Sequence, residues 1–491
     1  MTKQLHCPKS EQGVALILVL IMILVLSVLV AGLVFATQTQ TWTGYNYKTT
    51  TQARYAAEAG IQRTMNWLLN SYTAPTTFNS YDMTKYPVKD TTGTPNPIVL
   101  SAASGVSANY PDSTVRSAYN SALSSQSVPG LTNATFSTSA TLLKMTPGTA
   151  VSWMGGGSGV PQVWQITSIG TVAGFRPASV QLQATYERGS TPIFTYGVAG
   201  TGTTCQDIDF SGGTIDSWNS SNGGTYVGTH QNNGGTIGTN GNVTLSGGST
   251  VVTGTISDSS NINVGNCPDG VTNNAGAGAL NGLNLLSQPL VYPNPAAPNP
   301  MTPNTNENVN SNTCWGASPA GCTVIAGPAV DIAPGSYGNI TSNSNVHLSA
   351  GTYNINSLNL NGGSITLDST PVVINLGGNG ISSGGTLLAS QSSTTINSGG
   401  VPANLQIVSA AGVGMSNPPV ITMNASSAMY AVVYAPNAYV HITGSSHFLG
   451  AVVGKKVTCD SSGGFSYDLG LQNSLLQVGN FIPVSYTWNK F

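Results

Sequence analysis

Apolar residues fill one unbroken stretch near the start of the chain, and later they alternate with polar ones. Residues 14–36 are 23 positions without a charged side chain. At ~1.5 Å per residue a helix of this length spans roughly 35 Å, which is enough to cross a bilayer. Lys3 and Lys9 precede the stretch and Lys48 is the first charge after it. The pattern predicts a single membrane helix with its N-terminus inside and the bulk of the chain outside.

Helical periodicity continues beyond the membrane stretch. An apolar stripe runs through residues 52–70 at Ala53, Ala57, Ile61, Met65 and Leu68. The Thr-rich segment between the two parts, which contains Gly44, is a poor helix former. We therefore predict one long helix over 14–70 with a weak middle. A plain signal anchor is the alternative, because hydropathy alone does not separate the two.

The rest of the chain predicts two further regions. In 71–190 a short helix over Thr114–Ser125 and half-buried strands at Val163–Thr171 and Val180–Tyr186 predict a small α+β region. From 191 to 491, short Val/Ile/Leu-rich strands recur between Gly, Asn and Ser turns. This texture favours a mainly-β domain built as a right-handed parallel β-helix, with a β-sandwich as the alternative. The Pro/Asn-rich segment 283–322 is predicted to be an exposed loop that interrupts it.

Charge and cysteine content narrow the function. Only 6% of residues are charged, and no Lys or Arg occurs from Gly189 through Gly454. Nucleic-acid binding needs clustered basic side chains, so it is excluded as a function of this domain. No CxxC spacing indicates structural zinc. In an oxidising compartment a Cys314–Cys322 disulfide is possible, as is one between Cys205 and Cys267, while Cys459 fits a buried thiol.

An enzyme acting on polysaccharides is the rival function, since parallel β-helices often do such chemistry. Its best candidates are Asp207 and Asp209, which share a strand face at i and i+2, as two-carboxylate hydrolysis or calcium binding requires. Two surface aspartates beside a turn is the simpler interpretation. The four histidines of the domain are scattered along the chain, namely His230, His347, His441 and His447, and we expect no cofactor or metal.

Aromatic side chains of the distal domain are candidates for sugar binding. Trp218, Tyr226 and Tyr292 can stack on a sugar ring or pack in the core, and packing is the commoner role. Lys455 and Lys456 are expected to form a solvated edge. Stacking of His441 and His447 on neighbouring strands is an alternative to the expected arrangement, which is an ordinary row of polar side chains.

Two motifs near the N-terminus carry a family resemblance. Glu11-Gln12-Gly13 ends a short basic leader directly before the apolar run, and this resembles a class III signal of type IV prepilins. The later Ala56-Ala57-Glu58-Ala59-Gly60 segment is similar to that of PilX-like minor pilins and of the tip pseudopilins of type II secretion.

The resemblance implies a cut by prepilin peptidase between Gly13 and Val14, which removes the leader 1–13. It implies an inner-membrane precursor, partner pilins or pseudopilins bound through the helix, and later display at the bacterial cell surface or in a pilus. Most major pilins carry Glu at the fifth mature position, where this chain has Leu18. This departure favours a low-copy, minor or tip subunit. We expect the distal domain to be non-enzymatic, because it lacks a basic residue from Gly189 through Gly454 and its carboxylates are sparse.

A second resemblance lies at residues 429–468, which look like the closing coils of β-helical domains in PilX-like surface proteins. It implies a β-helical distal domain and links this domain to the same pilus-associated group. We expect the domain to be presented outward, with binding to surfaces or glycans as its candidate role.

Overall fold

The computed structural model describes most of the chain. It does not describe residues 1–11, 76, 92–94, 125, 132, 147–148, 155–159, 224–225, 227–229, 232, 268–269, 277–279, 299–305, 311–312, 316–321, 326–328, 379–380, 392–395, 398–399, 446 and 491. It describes no side chains at 12–13, 149–150, 152, 306–310, 313–315, 322–325, 425, 478, 480 and 488–490.

The chain forms two compact units. The first contains 1–146, 161–189 and 480–491, and the second contains 147–160 and 190–479. The sequence predicted an α+β region over 71–190 and a distal domain over 191–491 that is interrupted by the segment 283–322. The elements up to residue 192 are α1 (Gln12–Asn70), β1 (Tyr81–Asp82), β2 (Lys89–Asp90), β3 (Val99–Ser101), α2 (Ser113–Leu123), β4 (Gln126–Ser127), β5 (Ala134–Met145), β6 (Thr149–Ala150), β7 (Gln162–Val172) and β8 (Ala178–Pro192).

The long helix α1 runs unbroken through the Thr-rich segment. Thr37, Thr39, Thr41 and Thr43 each donate a side-chain hydrogen bond to the carbonyl four residues earlier. These bonds satisfy hydroxyl groups that otherwise compete with the helical backbone. The poor intrinsic propensity of this segment is thereby accommodated within one continuous helix.

An antiparallel sheet completes the first unit. Its order is β3–β5–β7–β8, followed by β33 (Leu475–Lys490). The alternating burial along β5 and β7 shows that one face of each strand is covered. The short helix α2 begins after Asp112, whose carboxylate accepts hydrogen bonds from the backbone N–H groups of Thr114 and Val115. The predicted helix and both predicted strands of this region are therefore present.

The second unit is mainly β. Its elements after residue 192 are β9 (Val198–Gly200), β10 (Ile208–Ser211), β11 (Thr214–Trp218), β12 (Ile237–Thr239), β13 (Val243–Ser246), β14 (Val251–Val252), β15 (Thr255–Asp258), β16 (Val271–Asn273), β17 (Gly282–Leu285), β18 (Asn306–Asn310), β19 (Thr313–Trp315), β20 (Cys322–Ile325), β21 (Ala329–Ile332), β22 (Gly335–Ser342), β23 (Asn345–Leu348), β24 (Gly351–Leu360), β25 (Ile365–Leu367), β26 (Val372–Leu376), β27 (Thr386–Ser390), β28 (Leu405–Ser409), β29 (Val420–Ala425), β30 (Met429–Gly444), β31 (Phe448–Cys459), β32 (Phe465–Asp468) and α3 (Leu471–Ser474).

Most strand pairs of this unit are parallel and join successive passes of the chain, which we call layers. The offset between paired residues of successive parallel strands varies from 16 positions, Val330 with Val346, to 39 positions, Val198 with Ile237. Inward apolar residues of adjacent layers lie one above another, because paired residues point to the same face. The result is one continuous buried core.

The layers form a single stack from two runs of chain. One run leads from β9 to β17 and the other from β18 to β32. The last layer of the second run pairs in parallel with the first layer of the first run, since β31 contacts β9 and β10, and β32 contacts β11. Chain segments far apart in sequence thus become neighbours.

The segment 283–322, which the sequence predicts as an exposed loop, contains strands. Strands β17, β18, β19 and β20 lie wholly or partly within it. Between them, residues 286–298 contact the stack: Asn240 bonds both the N–H and the C=O of Leu290, and the Tyr434 hydroxyl donates to the carbonyl of Pro293 at 2.6 Å. Polar composition concealed this contact because backbone groups carry much of the binding.

Candidate functional site

The N-terminal half of α1 presents apolar side chains on every side. Val14 is 62% exposed, Leu18 is 63% exposed and Phe35 is 70% exposed. A helix that is apolar all round requires a non-aqueous or protein environment. The structure contains one helix, α1, that is long and apolar enough to cross a membrane among the residues it describes. The apolar surface of this half of α1 is therefore suited to burial in a bilayer or against another protein.

The C-terminal half of α1 is seated on the sheet by small residues. Ala53, Ala56 and Ala57 are fully buried. Opposite them lies Gly170 of β7, where an added Cβ would stand 2.0 Å from the carbonyl oxygen of Ala53 and 2.5 Å from the nitrogen of Ala57. Only glycine at 170 permits this separation, because backbone atoms of the helix cannot rotate away.

Gly60 makes a second close approach. An added Cβ there would lie 2.2 Å from Ser168 Oγ and 2.9 Å from Phe136 Cδ2. Within the 56–60 motif, Ala56, Ala57 and Gly60 therefore face the sheet, while Glu58 lies away from it and pairs with Arg54 at 2.9 Å. The motif combines a small-residue contact face with one carboxylate on the other side.

A groove of 580 Å³ runs beside α1 on the exposed side. Tyr47, Tyr55, Arg54, Glu58 and Val180 are among its lining residues. The Arg54–Glu58 pair is half-exposed, so its Coulomb energy is largely screened by water and contributes little to stability. The Arg54–Glu58 pair is better suited to polar contacts along the groove than to stabilising the fold.

Some predicted site residues fall outside the described part of the protein. Residues 1–11 of the predicted leader 1–13 are not described, and only the helical backbone of Gly13 is described. The same holds for Cys314 and Cys322, whose backbones lie in β19 and β20. Their proposed disulfide stays a prediction. The alternative pair Cys205–Cys267 is a disulfide with its Cα atoms 5.7 Å apart, and Cys459 is a free buried thiol.

A polar network surrounds Asp216, a buried residue of β11. His230 Nδ1 lies 2.9 Å from Asp216 Oδ2, and the Tyr226 hydroxyl donates to the same oxygen at 2.8 Å. Ser466 donates to Asp216 Oδ1 and lies 2.6 Å from His447 Nε2. Sequence positions as distant as 216 and 466 meet here because β11 and β32 are paired.

The geometry of this network is unsuited to nucleophilic catalysis. Ser466 is fully buried, so no substrate reaches its hydroxyl. Burial lowers the pKa of His447, while the nearby Asp216 raises it less strongly. His447 is hydrogen-bonded to a serine that already donates to a carboxylate. The network thus connects Tyr226 and His230 to the layers.

The two aspartates predicted as a hydrolytic or calcium pair have separate environments. Asp207 is buried and accepts hydrogen bonds from the N–H and the hydroxyl of Thr204, which closes a turn. Asp209 lies on the outer face of β10, and burial raises its pKa, while Lys456 lowers it. The two carboxylates therefore have different partners. The simpler interpretation placed both aspartates at the surface, but Asp207 is buried.

His441 and His447 do not stack on each other, and each has polar partners of its own. His441 pairs with Asp460 at 2.9 Å and stacks on Tyr439, whereas His447 contacts Ser466 and Tyr226. Both side chains follow the layer register, which places different neighbours above each of them.

Lys455 and Lys456 also have defined contacts. Lys455 donates to the carbonyl of Met415, and the ammonium of Lys456 lies 5.3 Å from the ring centre of Tyr439.

The three aromatic candidates for sugar binding differ in burial. Trp218 is fully buried, while Tyr226 and Tyr292 are half-buried. Trp218 therefore packs in the core and is not available to a sugar.

One cluster was missed by the sequence reasoning. Asp331, His347 and Asp368 place their ligand atoms within 4.8 Å of one another. They are 16 and 21 residues apart in sequence, and only the parallel register of β21, β23 and β25 brings them together. The offset between successive layers is the signal in the sequence that could have identified these three residues as neighbours.

Comparisons with known proteins agree with the N-terminal motifs. The sequence model of the PilX N-terminal family matches residues 12–62, and a model described as a domain of unknown function (DUF7305) matches residues 305–474. Among solved structures, the competence-associated pilin ComZ from Thermus thermophilus is similar at 12% identity, over 90% of this chain and 98% of that chain, with a TM-score of 0.27. No curated protein matches.

Proposed function

We propose that this chain, which is a PilX-like type IV pilin in its N-terminal segment, is a non-enzymatic minor subunit of a type IV pilus or a type II secretion pseudopilus. The observation that supports this most directly is the two-part helix α1. Its first half exposes apolar side chains all round, and its second half is fixed to a sheet by Ala57 and Gly170. One half is thus free for a membrane or neighbouring helices, while the other carries the folded body.

Maturation is part of the proposal. Prepilin peptidase cuts after Gly13, so that Val14 becomes the first residue and the apolar helix its N-terminus. Before assembly the helix holds the precursor in the inner membrane, with the C-terminal bulk outside. After assembly the same apolar surface packs against other pilins or pseudopilins.

A minor role follows from Leu18. Its side chain is 63% exposed on the apolar half of α1, at the position where the resemblance calls for Glu. A leucine offers no carboxylate to a neighbouring subunit's terminal amine, so it forms no ion pair in the hydrocarbon region. A subunit without this pair is suited to low copy number or to the tip of a filament.

The distal body serves for display. We propose that its parallel layers form a right-handed β-helix, because parallel ladders with Asn/Gly turns recur from β9 to β17 and from β22 to β32. An antiparallel sandwich would pair consecutive strands differently. The polar outer rows, which include Tyr439 and His441, suit contact with surface glycans.

Filament composition tests the assembly role. In sheared and purified filaments we expect this protein to co-purify with a major subunit at a small fraction of its copy number, as measured by quantitative mass spectrometry. Leu18→Glu provides a matched variant and is expected to raise incorporation. Absence of the protein from every filament fraction, or its presence as the dominant subunit, would contradict the proposal.

The non-enzymatic role has its own test. The full chain is incubated with a panel of acidic and neutral polysaccharides, and reducing ends are counted. We expect no cleavage. Cleavage by the wild type that disappears in the Asp207→Asn, Asp209→Asn double variant would instead establish a polysaccharide-active enzyme.

A further inference from the structure

Three outward side chains from neighbouring layers converge on one point of the distal body. Asp331 of β21 is paired in register with His347 of β23, and Asp368 directly follows β25. The inward neighbours Val330, Val346 and Ile365 are buried in the core and fix the backbone beneath. Two of the three residues therefore stand on strands of the sheet, and the third follows a strand directly.

The distances between the ligand atoms of the cluster suit metal coordination after small side-chain rotations. His347 Nδ1 lies 2.8 Å from Asp368 Oδ1, and all three ligand atoms lie within 4.8 Å of one another. Bonds of ~2.0–2.2 Å to a tetrahedral ion place ligand atoms roughly 3.4 Å apart. Side-chain rotations that move the third ligand by about 1 Å close the site around an ion.

Two independent observations favour the binding of a cation by this cluster. Asp331 Oδ1 is buried, and no hydrogen-bond donor among the described residues reaches it. In addition, no Lys or Arg occurs from Gly189 through Gly454, so no permanent cation of this segment compensates the two facing carboxylates.

We propose that Asp331, His347 and Asp368 bind one divalent transition-metal ion, of which Zn²⁺ is the representative. The imidazole donor favours this class, because Ca²⁺ and Mg²⁺ take sites made of oxygen ligands. His347 and Asp368 are 25% and 40% exposed, so an ion enters from solvent and keeps a water ligand. The bound ion connects three successive layers of the stack and stabilises them against separation.

The test is a Zn²⁺ titration of the full chain in detergent, after treatment with a chelator. Wild type is expected to bind one ion per chain with saturation, and its unfolding temperature is expected to rise with Zn²⁺. Asp331→Asn and His347→Gln are expected to lower the affinity about a hundredfold or more, since changes even outside the ligand shell cost 10–100-fold. Asp368→Asn, at a more exposed position, is a third variant should either of these fail to fold.

The chain offers a matched control. His441 and Asp460 form a similar pair at 2.9 Å, and the described residues provide no third metal ligand there. His441→Gln is therefore expected to leave Zn²⁺ affinity and the Zn²⁺-dependent stabilisation unchanged.

Several results would overturn the proposal. These are the absence of saturable Zn²⁺ binding, equal binding by wild type and Asp331→Asn, or displacement of Zn²⁺ by millimolar Ca²⁺. Co²⁺ substitution adds a spectroscopic criterion, because binding by cysteine would produce a strong sulfur-to-metal absorption band that ligation by Asp and His lacks.

Discussion

Replacing Gly170 by alanine tests how α1 is seated on its sheet. The new Cβ would lie 2.0 Å from Ala53 O and 2.5 Å from Ala57 N, and both are backbone atoms of the helix. Relief requires the helix to move away by more than 1 Å, since carbon–oxygen contacts shorter than ~3 Å are repulsive. Overpacking of this kind costs ~1–3 kcal/mol, and rigid backbone neighbours place this variant near the upper end.

Hydrogen exchange of the full chain in detergent micelles measures this loss locally. If opening of the helix becomes easier by about 3 kcal/mol, amides in residues 53–68 should exchange roughly 100-fold faster, at ~1.4 kcal/mol per tenfold. Gly189→Ala is the control, because it lies in β8 of the same sheet and an added Cβ meets nothing within 4 Å. Exchange that is unchanged in Gly170→Ala, or equally fast in both variants, would refute the close-packing argument.

Two further predictions concern the distal body. Replacing Cys205 and Cys267 by serine opens a loop with a sequence separation of 62, and loop entropy predicts a loss of up to about 4 kcal/mol, seen as a lower urea midpoint; an unchanged midpoint would contradict it. The folded pKa of His447 lies below its unfolded value of 6.5, so the unfolded state binds more protons and stability falls as pH drops below about 6.5. Unfolding midpoints at pH 7.5 and 5.5 should differ less in His447→Gln than in wild type, and an identical difference would contradict the assignment.

Local features were predictable from the sequence where hydrophobic periodicity is strong. The apolar run from Val14 specifies the exposed apolar half of α1, and the stripe through Ala53 and Ala57 specifies the half that packs on the sheet. The described helix contains both. Composition also predicted a mainly-β distal body. These signals depend on neighbours within a few positions, which the sequence displays directly.

Long-range register was not predictable. Layers differ in length from 16 to 39 residues, so no fixed repeat shows that Asp331 meets His347 or that Asp216 meets Ser466. The return of the final strand β33 to the first unit's sheet was missed for the same reason. Candidate chemistry in this body depends on pairings between distant layers, and those are set by the whole core.

The mature N-terminus tests the pilin assignment most directly. The protein is isolated from surface-sheared material of its native bacterium, and its N-terminal peptide is identified by mass spectrometry. We expect the chain to begin at Val14, and we expect a bulky replacement of Gly13 to leave the precursor uncut. Surface material that still begins at Met1, or that begins beyond the apolar run, would contradict the proposal that this chain matures and assembles as a pilin.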